Sequence, residues 1–310
     1  MEPIISAHDL SKRFKDFQAV EQLSFSIHQG EVYGFLGQNG AGKSTTMRML
    51  LGLIRPTSGK VYIKGQAFGN KQRDLLRHVG AIIERPDLYG YLSGWDNLRM
   101  FAALSRKDIS NARLYEVLEL VGLRGREQDR VKAYSQGMKQ RLGIAIALVH
   151  DPELLILDEP TNGLDPQGIA EMRSLILHLS KDQRKTIMVS SHLLFEIEQV
   201  ASTMLIIHKG RKVTEGRVEE LLDPKETLFD VVLTNGESLA QAASESQWQP
   251  FLLNNSAGRL TFKMHPTRMP DLNRWLVGKG AEVLEIRSRH SLEAYFLSLT
   301  NDAANPAGTI

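Results

Sequence analysis

The run Gly37-Gln-Asn-Gly-Ala-Gly-Lys-Ser-Thr45 limits what this chain can fold into more than any other stretch, because it sets G-x-x-x-x-G-K-[ST] between a strand-like and a helix-like segment. A polyphosphate needs many hydrogen-bond donors converging on a small volume with no side chains in the way. Gly37, Gly40 and Gly42 accept backbone dihedrals closed to other residues, so the amides of a loop that also contains Gln38, Asn39 and Ala41 can turn inward as an anion-binding nest. A helix opening near Gly42 adds its positive end. Lys43 reaches the terminal phosphates, and the Ser44 hydroxyl, followed by Thr45, is placed to ligate a bridging Mg2+. Upstream, residues 31–36 predict a buried strand, and downstream residues 45–51 carry apolar side chains at helical spacing. A polyphosphate, such as that of a nucleotide, is the expected ligand. The loop alone leaves kinase, GTPase, motor and transporter ATPase open.

At 310 residues and 42% apolar content, the chain can bury the core of one large or two smaller domains. No stretch approaches the roughly 18 uninterrupted apolar residues of a spanning helix, and the first residues lack the basic-then-apolar order of a signal peptide. The expectation is a cytoplasmic chain, held elsewhere only through a partner. The absence of cysteine excludes disulfides. With 38 basic against 36 acidic residues and no long basic run, no nucleic-acid partner is expected.

Ahead of the phosphate loop, β-type alternation at residues 4–10 and 19–27 flanks a polar connection at 11–16, which predicts an antiparallel β subdomain. Phe14 lies in that connection, where an aromatic serves either to stack on a purine or simply to pack. Strands are expected at 60–64 and 79–83. A loop rich in large side chains, 85–95, then leads into helical patterns at 97–104, 112–121 and 142–149, which read as an inserted α-helical subdomain over about 86–150. Strands resume at 153–160, 185–190, 204–208 and 212–215. Near residues 223–226 the composition turns polar, as in a linker. Beyond it, strands at 228–233, 259–264 and 282–287, with helices near 270–277 and 291–299, predict a small α+β accessory domain over 224–300, and residues 301–310 predict a flexible tail. The fold class is α/β: a P-loop NTPase core over 1–223 with both subdomains, plus the accessory domain.

Hydrolysis of a γ-phosphate needs a metal held and a water oriented for in-line attack. The strand at 153–160 ends in Asp158 and Glu159 at the sheet edge where α/β proteins keep their ligands. Asp158 suits the Mg2+ shell with Ser44, and Glu159 suits the general base. His192 follows another apolar strand and can reach the same edge. Ser135, as a helix N-cap, and the flexible Gly137 form a second anion site at a helix amino end. One loop already cradles the nucleotide, so this second site suggests a phosphate contributed by another subunit.

Taken in order, these motifs resemble the nucleotide-binding subunit of an ABC transporter over about residues 4–222. Gly37 to Thr45 resembles Walker A, residues 134–138 the family signature, residues 154–159 Walker B, Gly163-Leu-Asp165 the D-loop and His192 the switch histidine. The resemblance implies an adenine-stacking role for Phe14 and a head-to-tail dimer of two copies. In that dimer each ATP lies between Walker A of one copy and Ser135 and Gly137 of the other, with Asp165 helping to couple the sites. It also implies a separate integral membrane permease, with the ATPase peripheral on the inner face of the membrane. Two positions depart from the family pattern: Glu84 stands where glutamine is usual, and Tyr-Ser-Gln-Gly-Met replaces the commoner Leu-Ser-Gly-Gly-Gln. At Glu84 a carboxylate still suits Mg2+, or it is simply an exposed strand end. Both departures, with the chain's tail, resemble the branch of bacitracin-type and lantibiotic-immunity exporters and drug-resistance ATPases, which implies export. A DNA-repair or translation-associated ABC ATPase is the competing reading. Leu88, Tyr89, Tyr91 and Leu92 either line a groove for a permease helix or pack the insert.

Overall fold

The computed structural model describes residues 2–69, 72–105, 108–222, 227–234, 236–256 and 258–290. The chain divides into two units, Met1–Arg217 and Val218–Ile310.

The first unit opens with a long hairpin, β1 (Pro3–Phe14) and β2 (Phe17–His28). It continues through β3 (Val32–Leu36), α1 (Lys43–Leu50), β4 (Ser58–Ile63), β5 (Gln66–Phe68), β6 (Val79–Ile82), α2 (Gly94–Leu104), α3 (Asn111–Leu120) and α4 (Gln136–Leu148). Then come β7 (Leu154–Leu157), α5 (Pro166–Lys181), β8 (Thr186–Ser191), α6 (Leu194–Glu198), β9 (Thr203–His208) and β10 (Arg211–Arg217). Two sheets form. The antiparallel one runs β2-β1-β4-β5, and the six-stranded one runs β10-β9-β3-β8-β7-β6. In the larger sheet β9, β3, β8, β7 and β6 are parallel, with β10 antiparallel at the edge. Strands covered on both faces read as continuous apolar runs. Every residue of β3, β7 and β8 is buried accordingly. Both sheets share one core, in which Leu23, Phe25 and Ile27 of β2 meet Phe35, Met47, Ile156 and Leu205.

The polar segment 11–16 is not a connection in the structure. Its first four residues extend β1, pairing Lys12 with Val20, Arg13 with Gln18 and Phe14 with Phe17, and only a two-residue turn remains. Ladder hydrogen bonds need no apolar side chain, so the hairpin outruns its buried part. The insert contains α2, α3 and α4, but α4 begins at Gln136, six residues before its expected start. Its side chains 136–139 are polar or half-exposed, which hides the first turn from an apolar pattern. The insert's α4 also lies against the sheet, and a Cβ on Gly80 of β6 would run into the Ala147 carbonyl of α4.

The second unit has its own antiparallel sheet, β12-β13-β11-β14. Its elements are α7 (Val218–Leu221), β11 (Thr227–Leu233), α8 (Gly236–Ser244), β12 (Leu252–Ser256), β13 (Arg259–Lys263), α9 (Met269–Gly278) and β14 (Val283–His290). A separate core gathers Phe229, Val231, Trp248, Phe262, Leu272 and Leu276. The helix expected at 291–299 and the tail at 301–310 lie outside the described residues.

Candidate active site

Strand β3 ends at Leu36 and the chain turns into α1 through the phosphate loop. The turn depends on glycine at two points. Gly42 is the N-cap of α1 at φ +108°, in the left-handed half of the map, and a Cβ there would sit 2.6 Å from the Ala19 carbonyl oxygen. Gly37 has ordinary φ but no room, since a Cβ would meet the Ile207 carbonyl at 2.6 Å. The Ser44 and Thr45 side chains remain half-accessible in the first turn of α1, while Thr46 folds its hydroxyl back to the Gly42 carbonyl at 2.9 Å.

Lys43 is almost fully buried, and its ammonium closes the loop on itself by donating to the Gly37 carbonyl at 2.5 Å and the Gln38 carbonyl at 3.2 Å. It also lies 3.0 Å from Glu159 Oε1 as an ion pair without the angle of a hydrogen bond. The other carboxylate oxygen, Oε2, is 2.8 Å from His192 Nδ1. Three of the expected residues thus converge in one row, lysine, glutamate, histidine, at the C-terminal edge of the parallel sheet.

Asp158 precedes Glu159 and is 1% exposed. Its Oδ1 accepts from Ser190 Oγ at 2.6 Å, and its Oδ2 is buried with no hydrogen-bond partner. A buried carboxylate oxygen without a donor is costly unless something occupies it in the working state. Ser190 was not anticipated. Besides donating to Asp158, its hydroxyl accepts from the Glu159 amide at 2.9 Å, so one serine of β8 orients both acidic residues. The polar Ser-Ser-His run ending an apolar strand was the signal for it.

Glu84 follows β6 in a left-handed conformation, φ +65°, and its carboxylate pairs with Arg48 of α1 at 2.6 Å. That places it on the phosphate-loop helix, in a largely exposed pair that salt screens. Phe14 is 46% exposed at the tip of β1, with Lys12 Nζ 4.9 Å from its ring centroid.

Ser135 and Gly137 sit elsewhere. Ser135 caps α4, its Oγ accepting from the Met138 amide at 3.2 Å. Beside it the buried Tyr134 hydroxyl, its pKa raised chiefly by desolvation, donates to the Arg126 carbonyl at 2.7 Å and pins the turn. Together with Gly163 and Asp165, Ser135 and Gly137 line an open depression of about 550 Å3 that no phosphate-loop residue lines. Asp165 is itself the N-cap of α5, accepting from the Gly168 amide at 2.8 Å.

Residues 20–162 match the family model described as ABC transporter. Over 301 residues the chain is 43% identical to the bacitracin transport ATP-binding protein BcrA of Bacillus licheniformis, covering 96% of this chain and 98% of that one. The chain belongs to the ABC transporter ATP-binding family. The lantibiotic transport ATP-binding protein SrtF of Streptococcus pyogenes is 41% identical over 212 residues, covering 68% of this chain and 90% of the relative. Among solved structures, cbiO1 of Clostridium perfringens, part of the ABC transporter complex cbiONQ, superposes with a TM-score of 0.65 at 25% identity over 81% of this chain and 98% of its own.

This ABC ATPase carries its helical insert as α2 to α4. A groove of about 400 Å3 runs along it, lined by Leu53, Ile83, Pro86, Leu88 and Phe101. Of Leu88, Tyr89, Tyr91 and Leu92, Leu88 alone lines this groove. Tyr89 and Tyr91 pack edge to face at 5.9 Å and stay exposed, while Asn97 holds the loop through the Tyr89 amide and carbonyl. Among the described residues no helix is long and apolar enough to cross a membrane.

Proposed function

We propose that this chain binds and hydrolyses ATP on the inner face of a membrane to drive a separately encoded permease that exports a peptide-antibiotic type of substrate. The row Lys43, Glu159 and His192 at the sheet edge carries the reading. The loop amides from Gly37 to Thr45 hold the phosphates, Phe14 stacks on the base, and Lys43 exchanges Glu159 for the terminal phosphates. Glu159 then takes the proton of the attacking water, and His192 keeps its carboxylate turned toward that water. The orphaned Asp158 Oδ2 and the Ser44 hydroxyl fit a hard divalent cation. Asp158 and Ser44 would hold Mg2+ there, with Glu84 as a further candidate carboxylate, and the ion would supply charge neutralisation for the phosphate oxygens.

The separation of Ser135 and Gly137 from the phosphate loop supports a head-to-tail pair of chains, in which a second copy's Ser135 and Gly137 close the first copy's ATP and Asp165 links the two sites. The groove beside Leu88 suits a short apolar helix of the permease. Similarity to bacitracin and lantibiotic transport subunits supports export of such substrates. A Glu159→Gln protein is expected to lose about a hundredfold or more of its turnover, the scale of a general base. It should keep ATP binding and accumulate as a closed dimer by light scattering. Turnover at the wild-type rate would remove Glu159 from the role.

A further inference from the structure

Glu159 is held in an expensive shape. Its φ is +49°, a left-handed conformation that a glutamate occupies only when its surroundings over-determine it. On the amino side the restraint is Ser190, which accepts from its amide. On the other side the chain turns at once, the Asn162 amide donating to the Glu159 carbonyl at 3.1 Å, and Thr161 stands inside that turn. The Thr161 hydroxyl donates to Glu196 Oε2 at 2.9 Å, and the same oxygen accepts from Ser191 Oγ at 2.6 Å. Ser191 is 1% exposed and immediately precedes His192, and its hydroxyl also accepts from the Leu193 amide at 3.0 Å.

One carboxylate oxygen therefore ties the segment leaving β7, which carries Glu159, to the segment leaving β8, which carries His192. A cavity of only about 20 Å3 lies beside the tie, where Thr161, Ser191 and Glu196 meet the apolar side chains of Ile169, Ile176 and Val189.

We infer that Glu196 is a positioning residue for hydrolysis, a clamp of α6 that fixes the base and the switch histidine relative to each other. The inference rests on the assignment of Glu159 as base. Glu196 touches neither in the structure and acts through Thr161 and Ser191. A carboxamide oxygen can accept from both hydroxyls as the carboxylate does, whereas a methyl group cannot.

The test uses the full-length chain. Glu196→Ala is expected to lower kcat about tenfold or more, since small misplacements of a reacting group carry costs of that order. KM for ATP and ATP-binding stoichiometry should change less than twofold, and Glu196→Gln should restore most of the rate. Thr161→Val, which cuts one link and leaves the Ser191 link, should give an intermediate kcat, and its effect should largely vanish in the Glu196→Ala background. If kcat per ATP-binding site is unchanged in both Glu196→Ala and Thr161→Val, the clamp is refuted. An equal loss in Glu196→Gln and Glu196→Ala also refutes it, because charge and not the hydroxyl link would then matter. Glu159→Gln, assayed alongside, separates the two ideas: turnover surviving there removes the base, whereas turnover lost there but kept in Glu196→Ala removes only the clamp.

Discussion

Gly42 and Gly40 are both left-handed, at φ +108° and +81°, but they differ in what surrounds them. Alanine at 40 meets nothing within 4 Å, while alanine at 42 meets the Ala19 carbonyl at 2.6 Å. Backbone strain alone costs on the order of 1–3 kcal/mol for a non-glycine residue. Gly40→Ala should therefore show that strain as a moderate loss of ATP affinity. Gly42→Ala, which must also move β2 or the loop, should bind ATP at least tenfold more weakly than Gly40→Ala; titration with a fluorescent nucleotide compares them, and equal affinities would contradict the steric argument. At this scale the sequence was informative because glycine, lysine and the acidic pair have few other uses in that pattern. What it concealed were partners supplied from elsewhere in the chain. Arg48 under Glu84 and Ser190 under Asp158 and Glu159 come from α1 and β8, and no local spacing connects them.

Where elements meet, one carboxylate again collects several. Glu153, just before β7, accepts from Lys64 Nζ after β4 at 2.7 Å and lies 2.8 Å from His78 Nδ1 ahead of β6. The Lys64 hydrogen bond, then that of His78, hold its pKa below the usual carboxylate range. A carboxyl lowered in the folded state stabilises the fold above its ordinary pKa and loses that contribution as pH falls through the folded value. Glu153→Gln should accordingly flatten the acid limb of the Tm against pH curve below about pH 4.5, the ordinary value of such a carboxyl group. Parallel curves for the two proteins would contradict it. Elements were most legible where burial imposed a period, as in β3, β7 and β8. The α5 helix has its signals in the sequence, Asp165 before Pro166 and apolar side chains at 172, 175, 176 and 179. For β12, an edge strand with Asn254, Asn255 and Ser256 exposed, no pattern existed to read.

Across the whole molecule, the two units have separate cores, and each residue assigned to ATP lies in the first. The SrtF relative reaches 90% coverage of its own length while matching 68% of this chain, so about a third of this chain has no counterpart in that match. A chain ending at residue 222 should fold and bind ATP within about threefold of the full-length protein by calorimetry; loss of binding would show that the second unit completes the site. Under the proposed pairing, the depression holding Ser135 and Gly137 makes each ATP site depend on a second copy. A chain whose nucleotide must be closed by another chain's helix end turns over in proportion to the square of its concentration when dilute. A permease that seats two copies side by side raises their effective concentration to the millimolar range typical of short tethers. Under that proposal the membrane partner would act as an activator before any cargo arrives, and a copy adrift from it would be silent by dilution alone.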